Sequence, residues 1–463
     1  MGKTLWTRRE ALRRTGLIAA GAPFLASALA KERDGQPIEM ALFDHSVKPE
    51  RPITAVVLGA GNRGNVYSGY SAKFPDELKI VGVAEPIEFR RKRFSEKYQI
   101  PEKYQWTTWE HALQVPKFAD ALIITTPDAL HYGPAMGGLK LGYDLLLEKP
   151  IAQSWRECND ILQLTQKNRR IVAICHVLRY SPYFRKLKDI VSSGELGRVI
   201  SIQQIEPVEH IHMSHSFVRG NWRNSKESNP MILSKSCHDL DVFRWLIGKS
   251  CRKVSSYGSL THFRKENAPP GSTLRCTDGC PVESTCPYSA QKIYYRNRTW
   301  LTHFDLPADG DQGPVILQLL KDGPYGRCVY HCDNDVVDHQ VVNMEFEGDI
   351  TVSFSMEALT SYAGRRTRVM GTKGDAVGDE KTLNVFDFSS RKQTVWDASK
   401  ALELESGHGG GDYGLAHNFV QAVSRQDPSL LPSTIQESME SHLIAFKAEE
   451  SRLTGKSMDV MMD

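Results

Sequence analysis

The chain has 463 residues, with 58 Lys and Arg against 55 Asp and Glu and 40% hydrophobic residues. That length exceeds one compact core and points to two domains, and the composition is that of a globular protein. A net charge of +3 gives no cue for nucleic acid, and no apolar run reaches the roughly 18 residues of a membrane-spanning helix.

Near the N-terminus, Thr7-Arg8-Arg9-Glu10-Ala11-Leu12-Arg13 precedes a mildly apolar stretch, Gly16 to Leu29, that ends in Ala28-Leu29-Ala30. A basic start, a moderate apolar region and an A-x-A end are the parts of a secretory signal. The paired arginines resemble a bacterial twin-arginine signal. The expectation is a signal over residues 1–30, export by the twin-arginine machinery to the periplasm, and a short arm over residues 31–50. That arm, with Met40-Ala41-Leu42-Phe43, is expected to pack on a neighbour.

The apolar run Ile53 to Leu58 then leads into Gly59-Ala60-Gly61-Asn62-Arg63-Gly64, and a helix is expected over Asn65 to Lys73. This is the G-x-G-x-x-G fingerprint in its strand–helix setting. Gly59 makes the tight turn, Gly61 admits pyrophosphate to the backbone, and Gly64 lets helix and strand pack closely. The helix N-terminus offers N–H groups to the anion. A second strand, Lys79 to Glu85, puts a carboxylate about 20 residues further on, where it can bind a ribose. Glu85 would repel a 2′-phosphate, which favours NAD over NADP; Arg90 and Arg91 nearby pull the other way.

The alternation continues with a helix over Arg90 to Tyr98, a strand from Ala119 to Thr125 and a turn at Thr126-Pro127. A helix over His131 to Leu141, a strand ending at Glu148-Lys149-Pro150, a helix over Ser154 to Lys167 and a strand over Ile171 to Cys175 follow. Such βαβ rhythm implies a doubly wound parallel sheet over residues 51–174, with ligands at the carboxyl ends of its strands. From residue 175 the rhythm changes. A helix over Tyr183 to Ser193 and strands at Val199 to Gln203, Val341 to Phe346 and Thr351 to Ser355 imply an α+β domain over 175–463. Its sheet is expected to be large, open and mostly antiparallel, with a hairpin at Glu347-Gly348-Asp349 and a C-terminal helix over Ser433 to Leu453. Residues 267–291, rich in Pro, Gly and Cys, read as an inserted loop.

The fingerprint, Glu148-Lys149-Pro150 and Cys237-His238-Asp239-Leu240-Asp241 together resemble the glucose–fructose oxidoreductase, inositol dehydrogenase and MocA (Gfo/Idh/MocA) family, over about Arg51 to Gly455. Thr125-Thr126-Pro127-Asp128-Ala129-Leu130-His131 is similar to its T-P-x-x-x-H loop. Arg179-Tyr180-Ser181-Pro182 with Gly194-Glu195-Leu196-Gly197 is similar to the opening of its second domain. His408-Gly409-Gly410-Gly411-Asp412 resembles a segment of the family's NAD-dependent glycosidases.

The resemblance implies an NAD-dependent oxidoreductase acting on a sugar, polyol or glycoside, and a homo-oligomer. Lys149 and His238 are the expected catalytic pair, moving a hydroxyl proton as hydride leaves the same carbon. Gly59, Gly61, Asn62, Arg63, Gly64, Glu85, Thr126, Pro127, His131, Glu148, Lys149 and His176 are expected around the cofactor. Arg179, Tyr180, Trp222, Arg223, Lys235 and Asp241 are expected around the substrate. For His238 and His176 a structural role competes, and for Asp241 a capping or orienting one. Dehydrogenases of this family commonly carry Asp four residues before the histidine, where this chain has Ser234; the glycosidase branch departs from that pattern too. Export without an obvious nucleotide pool favours tightly retained NAD and a redox-neutral cycle. A non-catalytic sugar-binding protein is the third reading.

The remaining motif is cysteine-rich: Cys276-x3-Cys280-x5-Cys286 and Cys328-x3-Cys332. The spacing suits thiolates around zinc or an iron–sulfur cluster, or two disulfides. A structural zinc on Cys276, Cys280, Cys286 and Cys332 is one expectation, disulfides the other. A metal site from His210, His212 and His215 has no carboxylate motif to support it.

Overall fold

The computed structural model describes residues 48–401 and 406–462. The expected signal, its cleavage point and most of the arm, Met40 to Phe43 included, lie outside the described residues.

The first sheet is wholly parallel. It contains β1 (Ile53–Leu58), β2 (Leu78–Ala84), β3 (Gln105–Trp106), β4 (Ala121–Ile124), β5 (Asp144–Leu147) and β6 (Val172–Ile174), in the spatial order β3-β2-β1-β4-β5-β6. This is the doubly wound nucleotide-binding order, reversing direction beside β1. The central strands are apolar throughout because helices cover both faces. These include α1 (Asn62–Lys73), α2 (Glu88–Tyr98), α3 (Tyr132–Lys140) and α4 (Trp155–Asn168). Helix α1 begins at Asn62, three residues earlier than expected, because Gly61 is already its N-cap. Helix α4 starts on a Ser154-x-x-Glu157 capping box, in which the serine side chain accepts from the Glu157 N–H.

After α5 (Pro182–Ser192) the chain builds a nine-stranded open sheet. Its strands are β7 (Val199–Pro207), β8 (Cys251–Ser259), β9 (His339–Phe346), β10 (Ile350–Glu357), β11 (Arg366–Gly371), β12 (Gly374–Gly378), β13 (Thr382–Asp387), β14 (Gln393–Asp397) and the short β15 (Met458–Asp459). The order is β14-β13-β12-β11-β7-β10-β9-β8-β15, and every pairing is antiparallel except β7 with β10. The β9–β10 hairpin turns where expected, with Gly348 and Asp349 both at positive φ. Strand β9 alternates exposed and buried residues along its whole length, the pattern of a sheet covered on one face. Helix α6 (Cys237–Ile247) and α8 (Ile435–Thr454) supply that cover through Val242, Phe243, Leu443 and Ile444.

Two features extend beyond the sequence reading. The excursion between β8 and β9 spans residues 260–338, not only the cysteine-rich loop, and has its own small core around Ile293, Tyr294, Phe304, Ile316 and Leu320. The chain also returns to the first sheet: α7 (Gly411–Arg425) buries Leu415, Phe419 and Val420 against the Ile53, Val57 and Tyr67 layer. The first core is therefore completed by residues from the far end of the chain, and a division at residue 175 does not separate the cores.

Phe419 is 1% exposed and Leu453 68% exposed. Phe419→Ala is expected to lower the unfolding free energy in urea by roughly 3–5 kcal/mol, and Leu453→Ala by less than about 0.5 kcal/mol. Equal effects would contradict the return packing.

Candidate active site

The carboxyl ends of β1, β2, β4 and β5 bring the fingerprint, Glu85, Thr125-Thr126 and Glu148-Lys149 to one edge of the parallel sheet. Gly59 has φ +98°, and a Cβ there would stand 2.7 Å from the Thr125 carbonyl oxygen. A Cβ on Gly64 would meet the Gly59 carbonyl oxygen at 2.2 Å, whereas one on Gly61 meets nothing within 4 Å. Gly59 and Gly64 are thus required by the protein's own packing, while Gly61 borders open space, as a backbone approached by pyrophosphate should. The first turn of α1 carries no acidic residue and no side-chain cap, so its N–H groups remain for an anion. Glu85 is buried at the end of β2 and accepts from the N–H groups of Ala60 (2.8 Å) and Ile87 (3.0 Å). The residues present fit a dinucleotide.

The side chain of Arg63 turns inward. Its guanidinium donates to Glu148 at 2.6 Å and to Asp412 at 2.8 Å, and also bonds the Tyr67 hydroxyl; that hydroxyl donates to Glu148 at 2.9 Å. Burial alone would raise the Glu148 carboxyl, but Arg63 and Lys149 outweigh it and hold the group below its ordinary value. Thr126 Oγ1 donates to the Leu130 carbonyl, and Pro127 caps the short turn that follows. His131 is buried with its ring nitrogens against the carbonyl oxygens of Pro150 (2.6 Å) and Thr126 (3.0 Å), so its side chain braces the loop.

Lys149 joins Pro150 through a cis peptide bond. Its N–H donates to Glu148 Oε2, and its ammonium donates to the Ser234 carbonyl at 2.6 Å. Ser234 in turn places its hydroxyl 3.5 Å from Asp128 Oδ2. A carboxylate therefore stands beside the lysine's anchor although position 234 itself is neutral.

Four histidines gather at this corner. The His238 ring lies 5.9 Å from His176 and 5.8 Å from His408, and His176 lies 5.4 Å from His442. Among the described residues neither ring nitrogen of His176 has a hydrogen-bond partner, nor does Nδ1 of His238, although His176 Nε2 stands 3.6 Å from Asp241 Oδ1. Burial, reinforced by the Arg179 and Lys149 cations at His176 and by Lys149 at His238, holds both imidazoles well below their ordinary value. They are neutral bases with unmet polar atoms, as befits groups awaiting a ligand. His442 Nε2 accepts from the Ile151 N–H at 3.0 Å, which positions the ring.

The expected substrate set divides. Arg179 is fully buried and bidentate to Asp241, with both contacts at 2.7 Å, and the Tyr180 hydroxyl pairs with Ser433. Arg179, Tyr180 and Asp241 are therefore architectural, because each spends its polar atoms on other protein groups. Arg223 is held by Asp333 and Glu227 at the surface. Trp222 Nε1 donates to Asp128 and latches the second domain to the T-P-x-x-x-H loop. Only Lys235, part-exposed and 3.1 Å from Glu206, keeps the character of a ligand contact.

Sequence reasoning missed two groups. His408 and Asp412 sit in a segment whose likeness was visible, but its contact with the fingerprint was not. Glu206, Asp239 and Arg365 form a buried ionic network joining β7 to the start of α6. Its only signal was polar residues at the inward positions of a strand.

The cysteine expectation is also corrected. Cys332 donates its thiol to the Cys328 carbonyl, and Cys328 lines a cavity with Cys276, Cys280 and Cys286 instead. All nine cysteines are free thiols, and among the described residues no three metal-binding side chains converge on a single ion. The zinc set and the disulfides are both absent as drawn.

His176, His212, His238 and His442 all have folded values below the ordinary 6.5. Unfolding therefore takes up protons below that pH, so their stabilising effect is full above pH 6.5 and is lost as pH falls. Urea titrations between pH 7.5 and 5 are expected to show stability falling by on the order of 1 kcal/mol per pH unit for each such group. A flat profile would contradict their neutral burial.

Comparison with known proteins agrees with this fold. Residues 53–176 match the oxidoreductase family's NAD-binding Rossmann fold, and residues 188–460 match its C-terminal alpha/beta domain. YteT of Bacillus subtilis, named as an oxidoreductase, is 26% identical over 360 residues, covering 73% of this chain and 81% of that one. An inositol 2-dehydrogenase of Salmonella typhimurium is 26% identical over 206 residues, 44% of this chain and 57% of that one. Levoglucosan dehydrogenase, solved with NADH and levoglucosan, shares the fold at TM-score 0.65 and 16% identity, covering 89% of this chain and 100% of that one. With both domains matched in order, the chain belongs to the Gfo/Idh/MocA family of NAD-dependent oxidoreductases.

Proposed function

We propose that the protein transfers hydride between NAD and a hydroxyl-bearing carbon of a sugar, polyol or glycoside. The observation that carries this reading is the placement of the Lys149 ammonium and the neutral His238 at the strand edge that carries the fingerprint. When bound, NAD supplies the hydride acceptor or donor. Lys149 would hold the reacting oxygen, and His238, uncharged and with an open Nδ1, would take the hydroxyl proton. Lys235 offers a second donor for a neighbouring hydroxyl. The two relatives whose names state a substrate act on a polyol and an anhydrosugar, which supports this substrate class.

NAD is favoured over NADP because Glu85 occupies the ribose end and Arg90 is committed to Asp305 at 2.7 Å. The Arg8-Arg9 signal supports export to the periplasm by the twin-arginine route, with the cofactor retained. The exposed Tyr257 and Val341, paired across β8 and β9, support assembly through the open sheet face.

A second reading rests on His408. This imidazole faces His238 and is bonded to Asp412, so the site has a further acid–base group beyond what simple oxidation needs. It suits a redox-neutral glycosidase, in which oxidation acidifies the adjacent C–H, the aglycone is eliminated, water adds and the ketone is reduced again.

With myo-inositol, hexoses and aryl glycosides as probes, Lys149→Ala and His238→Ala are each expected to lower kcat by about 10²–10⁴-fold, with retained NAD per chain unchanged. Undiminished turnover in both variants would overturn the assignment. NADH accumulating in step with product supports net oxidation, whereas aglycone release without NADH supports the cycle.

A further inference from the structure

The excursion over residues 260–338 carries a group of thiols that the proposed reaction does not use. Cys276 and Cys328 are far apart in sequence but are brought side by side by a short antiparallel bridge between Arg275 and Arg327. In it the Cys276 N–H donates to the Gly326 carbonyl and the Cys328 N–H to the Leu274 carbonyl, both at 2.9 Å. The loop 277–286 then folds back so that Cys280 and Cys286 face the same cavity as the first two. Both of these cysteines are followed by proline, Pro281 and Pro287, which removes an N–H and stiffens the turn beside each sulfur.

Glu283 also lines the cavity, with its carboxylate engaged by Ser289 and Arg296, and a buried cation stands beside Cys276. Arg219 reaches the thiols from the end of the π-helical turn Met213–Arg219 and is completely buried. Its Nε donates to the Arg327 carbonyl and its Nη2 to the Tyr288 carbonyl, with Nη2 also 3.9 Å from Cys276 Sγ. Nη1 has no partner. Among the described residues no carboxylate bonds this guanidinium, an arrangement that is costly unless an anion completes it. The Ala290 N–H donates to Cys276 Sγ at 3.4 Å, the kind of bond that stabilises a thiolate bound to metal.

We propose that Cys276, Cys280, Cys286 and Cys328 hold an iron–sulfur cluster, with Arg219 as its buried counter-charge. Four thiolates around one cavity match the ligand number of such clusters. Because the sulfurs line the cavity without converging on one point, a cluster that brings its own bridging sulfides fits better than a single ion. Cys332, with its thiol turned to the Cys328 carbonyl, is outside the set. The cluster ties the cysteine loop to the bridge at residue 327 and to Arg219, and so anchors the excursion to the second domain.

The test is anaerobic purification of the full chain, with iron, acid-labile sulfide and zinc assays and visible absorption before and after dithionite. The expected result is iron and sulfide in equal amounts with a broad visible band that dithionite bleaches. Cys280→Ser and Cys286→Ser should abolish the band, whereas Cys332→Ser should keep it. Where a serine variant fails to fold, ferrous iron and sulfide added under reducing conditions to metal-stripped wild-type protein give the second reading, and the band should return. Protein that stays metal-free after that treatment, that holds zinc alone, or whose four cysteines are paired as disulfides would overturn the proposal. So would loss of iron in Cys332→Ser equal to that in Cys286→Ser.

Discussion

A partly buried cation, Arg63, joins the three pieces of chain from which the site is made. It lies in the fingerprint, bonds Glu148 beside Lys149, and bonds Asp412 at the start of α7. Its two carboxylate partners are buried, and a buried carboxylate is tolerable only when its charge is matched. Arg63 provides the match for both, and the Tyr67 hydroxyl adds a bond to Glu148. Lys149 is thereby fixed relative to the phosphate-binding turn, and His408 is drawn in because Asp412 serves Arg63 and His408 together.

The second domain contributes less by its sheet than by what the sheet supports. Helix α6 presents His238 from its first turn, and the Glu206–Arg365–Asp239 network holds that turn against β7. Burial raises the Asp239 carboxyl above its ordinary value even with Arg365 beside it, so the network's charge is expensive and its geometry correspondingly demanding. Segment 222–234 closes the junction through Asp128, which receives Trp222, Ser228 and Asn229. Ser234 belongs to that junction, and its carbonyl is the acceptor for Lys149.

Local pattern made much of this legible. Apolar runs, glycines and the acid at the end of β2 identify a nucleotide-binding sheet, since each acts within about 30 residues of chain. The Glu-Lys-Pro corner and the Cys-His-Asp segment were found by resemblance, and the structure brings both to one place. What sequence did not show is which polar residues spend themselves on one another. Resemblance sets Arg179 and Asp241 beside the substrate, with a capping or orienting role open for Asp241, yet they neutralise each other in the interior. Arg63 read as part of the phosphate loop, and its partner at residue 412 lies more than 300 positions away. The cysteine ligand set failed in the same way: Cys328 and Cys332 are equivalent by spacing, and only the bridge at residue 327 decides which one faces the cavity.

The central claim is that the clasp around Arg63 places Lys149 and His238 at the reactive end of a nicotinamide nucleotide. A crystal structure of the NAD complex tests it most directly. The account predicts the pyrophosphate on the first turn of α1 and the nicotinamide ring in the corner bounded by Lys149, His176 and His238. A ring turned away from that corner, or a nucleotide bound elsewhere on the sheet, would contradict it.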